Sequence, residues 1–126
     1  MAKRRVIEIP GLSHRAPIPM GAAIGNIVFS SAISGRDPKT DVLPGDPDKQ
    51  AEVLFRNISS FMERAGGTTD DIVRMTVYLK EERYRESINK EWLKMFPDEK
   101  DRPARHAIRV DVRGEVLFQI EIIAVI

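Results

Sequence analysis

DPDKQAEVLFRNISSFMERAGG, residues 46–67, carries the strongest local signal in the chain. Ala51, Leu54, Phe55, Ile58, Phe61, Met62 and Ala65 recur at the three- and four-residue steps that place them on one face of an α-helix. Asp46 reads as its N-cap, with Pro47 at the first helical position, where a missing N–H costs nothing. Gly66 and Gly67 supply the stop. Such a stripe is buried only against a partner surface, so the rest of the chain must furnish one.

Outward from that helix, VRMTVYLK (73–80) alternates as a strand, with Val73, Met75, Val77 and Leu79 on one side. A second helix is predicted over about 85–96, where Ile88, Trp92, Met95 and Phe96 keep helical spacing and Pro97 follows. Two strands close the chain, ARHAIRVDV (104–112) and EVLFQIEIIAVI (115–126), about a turn at Arg113-Gly114. Toward the N-terminus, RVIEI (5–9) reads as a strand, 10–21 as a Pro/Gly loop, 22–34 as a strand pair around Gly25-Asn26, and 35–47 as an exposed loop. The order β-β-β-α-β-α-β-β implies one α+β domain over 1–126, with two helices covering one face of a mixed sheet.

Strand alternation sorts the last two strands. Ile108, Val110 and Val112 fit the helix side, which puts His106 there too, whereas Arg105, Ala107, Arg109 and Asp111 point away. In the final strand Val116, Phe118, Ile120, Ile122, Ala124 and Ile126 suit the helix side. Leu117, Gln119, Glu121, Ile123 and Val125 then share the other face with Arg105. That face mixes apolar and charged groups, and a second subunit covering it is the expectation. A carboxylate in an apolar strand needs a reason. Arg105 and Glu121 either neutralise each other as a structural ion pair, or form a pocket in which Arg105 grips a substrate carboxylate and Glu121 holds a water. Spacing alone leaves both open.

Composition bounds the chemistry. With 42% hydrophobic and 31% charged residues the chain is of the soluble globular kind. It has no cysteine, which excludes disulfides, thiolate metal sites and a cysteine nucleophile. Two histidines, His14 and His106, make a dedicated zinc site improbable on numbers alone. Twenty basic residues against nineteen acidic ones give a net charge of +1, which does not suggest a nucleic-acid surface. The basic start Lys3-Arg4-Arg5 is followed by Glu8 and Pro10 rather than an apolar signal region, and no run is long enough for a membrane span. A cytoplasmic location is the default expectation.

Several pieces, in order and spacing, resemble the Rid (YjgF-like) family. Ala16-Pro17-Ile18-Pro19 is similar to the family's "APxPYSxA" opening, and Gly25-Asn26-Ile27-Val28-Phe29-Ser30-Ser31 to its "GNLVFVSG" strand. Ala65 to Val73 followed by Thr76-Val77-Tyr78-Leu79 resembles "AGSSLDDVVKVTVYL", and Asn89 falls at the Asn of "NxxYxxFF". Arg102-Pro103-Ala104-Arg105 matches "PAR[ST]", and Gln119 to Ala124 the "EIEAIA"-like ending. The resemblance implies a chorismate-mutase-like α+β fold assembled as a homotrimer with clefts between subunits. It also implies a hydrolase that deaminates enamine or imine acids of the 2-aminoacrylate/2-iminopropionate type to 2-keto acids and ammonium, without metal or cofactor. By the same resemblance Arg105 binds the substrate carboxylate, Glu121 positions the water, and Ser31 and Asn89 line the cleft. No nucleic-acid or membrane partner is implied.

Three positions depart from the pattern. Met20 replaces the family tyrosine, Ala107 replaces a small polar residue or cysteine, and Ser31-Ala32-Ile33-Ser34-Gly35 stands for "SGQIP". These changes predict a more apolar cleft, with His14 a candidate replacement polar group. They motivate an alternative substrate, a larger enamine acid such as an aminomuconate-like intermediate. A non-catalytic carboxylate-metabolite binding protein is the alternative of another class. A nuclease or translation inhibitor is disfavoured by the balanced charge.

Overall fold

In the computed structural model, which describes residues 3–126, the Asp46 carboxylate accepts the Lys49 amide at 3.0 Å and Pro47 opens α1 (Pro47–Ala65). Gly66 ends the helix with φ +91°, a left-handed conformation that costs glycine nothing, and the Gly67 amide donates back to the Met62 carbonyl at 2.9 Å. The apolar stripe is buried as its spacing requires: Leu54, Ile58, Phe61 and Met62 have no exposed surface. Each such side chain contributes roughly 1.5–3 kcal/mol on leaving water.

The stripe packs on a six-stranded sheet. Its strands are β1 (Arg5–Ile7), β2 (Gly21–Ile24), β3 (Ile27–Ser30), β4 (Ile72–Leu79), β5 (Ala104–Arg109) and β6 (Phe118–Val125), in the spatial order β1-β2-β3-β6-β4-β5. All neighbours are antiparallel except β4 and β5. A parallel pair needs a long crossover, which α2 (Arg85–Met95) supplies. Met75, Val77 and Leu79 of β4 join Phe118, Ile120, Ile122 and Ala124 of β6 beneath both helices in one apolar cluster. The architecture is α+β, a mixed sheet with two helices on one face. Among the described residues no helix is long and apolar enough to cross a membrane.

Four expectations need correction. The two last strands are not neighbours, because β4 lies between them. The chain leaves the sheet after Arg109, so Val110 and Val112 are not strand positions. Val73 is 51% exposed rather than in line with Met75, since the register slips between Ile72 and Arg74 and leaves it as the extra residue of a bulge. His106 pairs with Thr76 on the helix-free face, not the helix face, and is exposed.

Two polar residues sit inside the apolar stripe of α1. Asn57, 1% exposed, donates through Nδ2 to the carbonyls of Ser34 at 2.9 Å and Arg36 at 2.8 Å. Gln50, fully buried, donates to the Pro44 carbonyl at 2.7 Å and accepts the Leu117 amide at 2.8 Å. They tie the loop after β3 and the approach to β6 onto the helix. Gly35 allows this closeness: a Cβ there would lie 2.2 Å from the Gln50 carbonyl oxygen. Asn57→Leu keeps the volume but strands two carbonyls. It is expected to cost about 2–4 kcal/mol, read as a lowered urea midpoint, whereas a loss under about 0.5 kcal/mol would mean the loop finds other donors.

Candidate functional site

Arg105 lies on β5 in register with Met75, and Ala107 with Val77. Because Met75 and Val77 are core residues, Arg105 and Ala107 face the helices, opposite to the side expected from isolated alternation. A cation is accommodated there because β5 is the edge strand and α2 offers a platform. Arg105 Nη2 donates to Asn89 Oδ1 at 2.7 Å, and its guanidinium lies over the Trp92 ring, 4.8 Å from the centroid. Stacking and one hydrogen bond orient the planar fork. Nη1 is buried with no hydrogen-bond partner. Burial, and then the charge of Arg85, push the pKa down, but a guanidinium remains cationic. Among the described residues no carboxylate pairs with it. Arg105 as a residue is only partly buried, and an oriented cation without a carboxylate partner is the arrangement that receives an anion.

Glu121 lies on β6 in register with Thr76, on the helix-free face. Its Oε1 accepts the Tyr78 hydroxyl at 2.5 Å. That bond, followed by burial, raises the Tyr78 pKa, so the phenol stays a donor. Tyr78 was not singled out from the sequence, where it is one letter of an alternating strand. The bond engages Oε1, and Oε2 makes no hydrogen bond among the described residues. Arg105 and Glu121 therefore open to opposite faces of the sheet, and the structural ion pair between them does not form.

The other candidate residues lie near the start of β6. Ser31 donates from Oγ to the Pro19 carbonyl at 2.8 Å and from its amide to the Met20 carbonyl at 2.7 Å, holding the two loops together. Ile33 and Ile120 exchange backbone hydrogen bonds at 2.8 and 3.0 Å, extending the sheet past β3. A cavity of about 550 Å³ opens beside them, lined by His14, Met20, Ala32, Ser34 and Gln119. Gln119 precedes Glu121 by two residues and shares its face. Met20 is 2% exposed and contributes apolar wall. His14 Nε2 is buried without a partner. The rim of this cavity is basic: Arg15, Arg36 and Arg113 border it. Ala107 belongs instead with Arg105 and Asn89. The predicted residues thus form two groups, Arg105, Asn89 and Ala107 against α2, and His14, Met20, Ser31 and Glu121 around the other face.

The helix-free face carries exposed apolar side chains from five positions on β1, β2, β3 and β6: Val6 54%, Ile24 50%, Ile27 48%, Phe29 54% and Val125 44%. Among the described residues no group of three or more His, Asp or Glu side chains is placed to hold a metal ion.

Comparison with known proteins places this geometry. A family model described as endoribonuclease L-PSP matches residues 15–126. A RutC family protein of Pyrococcus abyssi is 32% identical over 119 residues, spanning 89% of this chain and 92% of that protein. The structure of YyfA from Yersinia pestis, a Rid family protein, is similar with a TM-score of 0.88 and 25% identity, over 98% of this chain and 99% of that one. Escherichia coli TdcF, solved with bound serine, is similar with a TM-score of 0.86 and 28% identity, over 97% and 98% of the two chains.

Proposed function

The chain belongs to the Rid family, and on that premise we propose that it hydrolyses enamine or imine acids of the 2-aminoacrylate/2-iminopropionate type to 2-keto acids and ammonium, at sites shared between the subunits of a homotrimer. The observation that carries this reading is the Arg105 guanidinium, which has no carboxylate partner among the described residues and is already fixed by Asn89 and Trp92. The serine bound by TdcF, 28% identical, is itself a small carboxylate.

In this reading the imine acid seats its carboxylate on Arg105, leaving the C=N carbon toward a water on Glu121. Glu121 accepts a proton as the water oxygen bonds to that carbon. The C=N π pair goes to nitrogen, which takes up that proton; the C–N bond then breaks as the hydroxyl oxygen gives its proton to the departing nitrogen, and ammonium and the keto acid remain. The iminium carbon is electrophilic already, so the protein contributes mainly orientation and a held water, which can be worth several kcal/mol. Tyr78 keeps the Glu121 carboxylate in place for this.

The opposed directions of Arg105 and Glu121 support the homotrimer. One copy supplies the cation and the next the carboxylate, and the exposed apolar face of each gives the copies a reason to associate. The geometry gives less support to nuclease chemistry. Paired acid–base work needs its groups at one site, and the two histidines line a cavity and an outer strand respectively.

The direct test generates 2-aminoacrylate from several amino acids with a pyridoxal-phosphate enzyme and traps the imine with semicarbazide. Adding this protein is expected to lower the trapped fraction and speed keto-acid release. No acceleration with any amino acid would sink the reading. If trapping is unaffected while a keto acid still binds through Arg105, the chain is a carboxylate-binding protein instead.

A further inference from the structure

The charges of the whole chain nearly cancel, twenty basic against nineteen acidic, but those around the cavity beside β6 do not. Arg15, Arg36 and Arg113 border it, and Glu115 is the one carboxylate in its lining. Arg36 is only loosely engaged. Its Nη1 donates to the Asp41 carbonyl at 3.0 Å, and the Asp41 carboxylate stands 3.9 Å away. Arg15 and Arg113 have no ion-pair partner among the described residues. The three come from loops far apart in the chain, so their meeting is a product of the fold and not of a basic run. His14, from the same wall, adds the unpartnered buried Nε2. A concave site with an excess of one sign of charge on a low-dielectric wall concentrates ions of the other sign. Met20 and Ala32 give it an apolar floor suited to a carbon chain.

We propose that this basic rim is a second anion subsite, and that the acid this protein takes is a dianion: a 2-imino or 2-keto dicarboxylic acid with one carboxylate on the Arg105 of a neighbouring copy and the distal one among Arg15, Arg36 and Arg113. The inference rests on the proposed function above, in which the Glu121 face of one copy meets the Arg105 of the next. Gln119, in the cavity wall, is the next residue on the Glu121 face, so a molecule anchored at the rim lies along the strand that presents the carboxylate. The distal contact discriminates by charge, which a purely apolar pocket cannot do.

Two ligands with the same five-carbon chain separate the ideas: 2-oxoglutarate, a dianion, and 2-oxopentanoate, a monoanion. Titration calorimetry on the full-length wild-type protein is expected to show 2-oxoglutarate binding about tenfold tighter at about 0.02 M salt, with the preference shrinking at about 0.2 M as screening sets in. In the double variant Arg15→Gln/Arg113→Gln, which leaves Arg36 alone at the rim, the ratio is expected to fall to about threefold or less. Equal wild-type affinities, a ratio that survives in the double variant, or equal weakening of both acids in it would each overturn the subsite. Arg105→Ala distinguishes this from the parent reading. If that variant loses both acids while the wild type does not discriminate, the carboxylate site stands and the rim fails. If it keeps its preference for 2-oxoglutarate at undiminished affinity, the rim stands and the Arg105 reading fails.

Discussion

Arg105→Ala is expected to lower kcat/KM for a small imine acid by about two to three orders of magnitude, at a cost of about 1–2 kcal/mol in stability. The first half follows from what the side chain offers. A charge-assisted contact between a desolvated guanidinium and a carboxylate is worth about 3–4 kcal/mol when one partner is removed. At roughly 1.4 kcal/mol per factor of ten, that gives the stated loss. The second half follows from what the side chain lacks. Arg105 carries no ion pair, and truncation sacrifices one hydrogen bond to Asn89 and stacking on Trp92, together about 1–2 kcal/mol. Arg105→Lys restores a charge but neither the planar fork nor the stacking, so it is expected to recover only about a tenth of wild-type activity or less. Steady-state release of keto acid, with thermal unfolding measured on the same samples, checks both halves. A loss of less than about threefold in the alanine variant would remove Arg105 from the site.

How far the residues alone led depends on what each pattern responds to. The stripe from Ala51 to Ala65 marked α1 well, since burial against any apolar partner enforces the same spacing, and Asp46 and Gly66 bound it by local backbone chemistry. The phase of β6 was legible for the same reason: Phe118, Ile120, Ile122 and Ala124 are all buried. β5 misled because Val110 and Val112 extended an apparent alternation beyond the point where the chain leaves the sheet. No local pattern could announce that β4 would insert between β5 and β6. The direction of Arg105 is set by that pairing with Met75, so it was unreadable without the sheet order. Asn57 and Gln50 were hidden in an apolar stripe because their partners are carbonyls and an amide of distant loops. The basic rim was hidden likewise, its three arginines lying far apart along the chain and brought together only in space. The chemistry of the site came from the family resemblance, and the geometry gave it a different layout from the one that alternation suggested.

That layout leads to the second large effect. Chains carrying Arg105→Ala and chains carrying Glu121→Gln, each deficient by itself, are expected to regain activity when unfolded and refolded together. The two groups open to opposite faces of one sheet. In the proposed trimer each site therefore takes its guanidinium from one copy and its carboxylate from the next. In a one-to-one mixture each of those positions is intact about half the time, so about a quarter of the sites are whole. The mixture should thus recover about a quarter of wild-type turnover, from preparations that separately fall to a few per cent or below. If both groups of a site came from the same chain, mixing could never create an intact one, since every chain in the mixture lacks one or the other. Activity no higher than the average of the two variants would therefore exclude sites shared across subunits. A value near one quarter could arise only if the guanidinium of one copy and the carboxylate of another act on the same molecule.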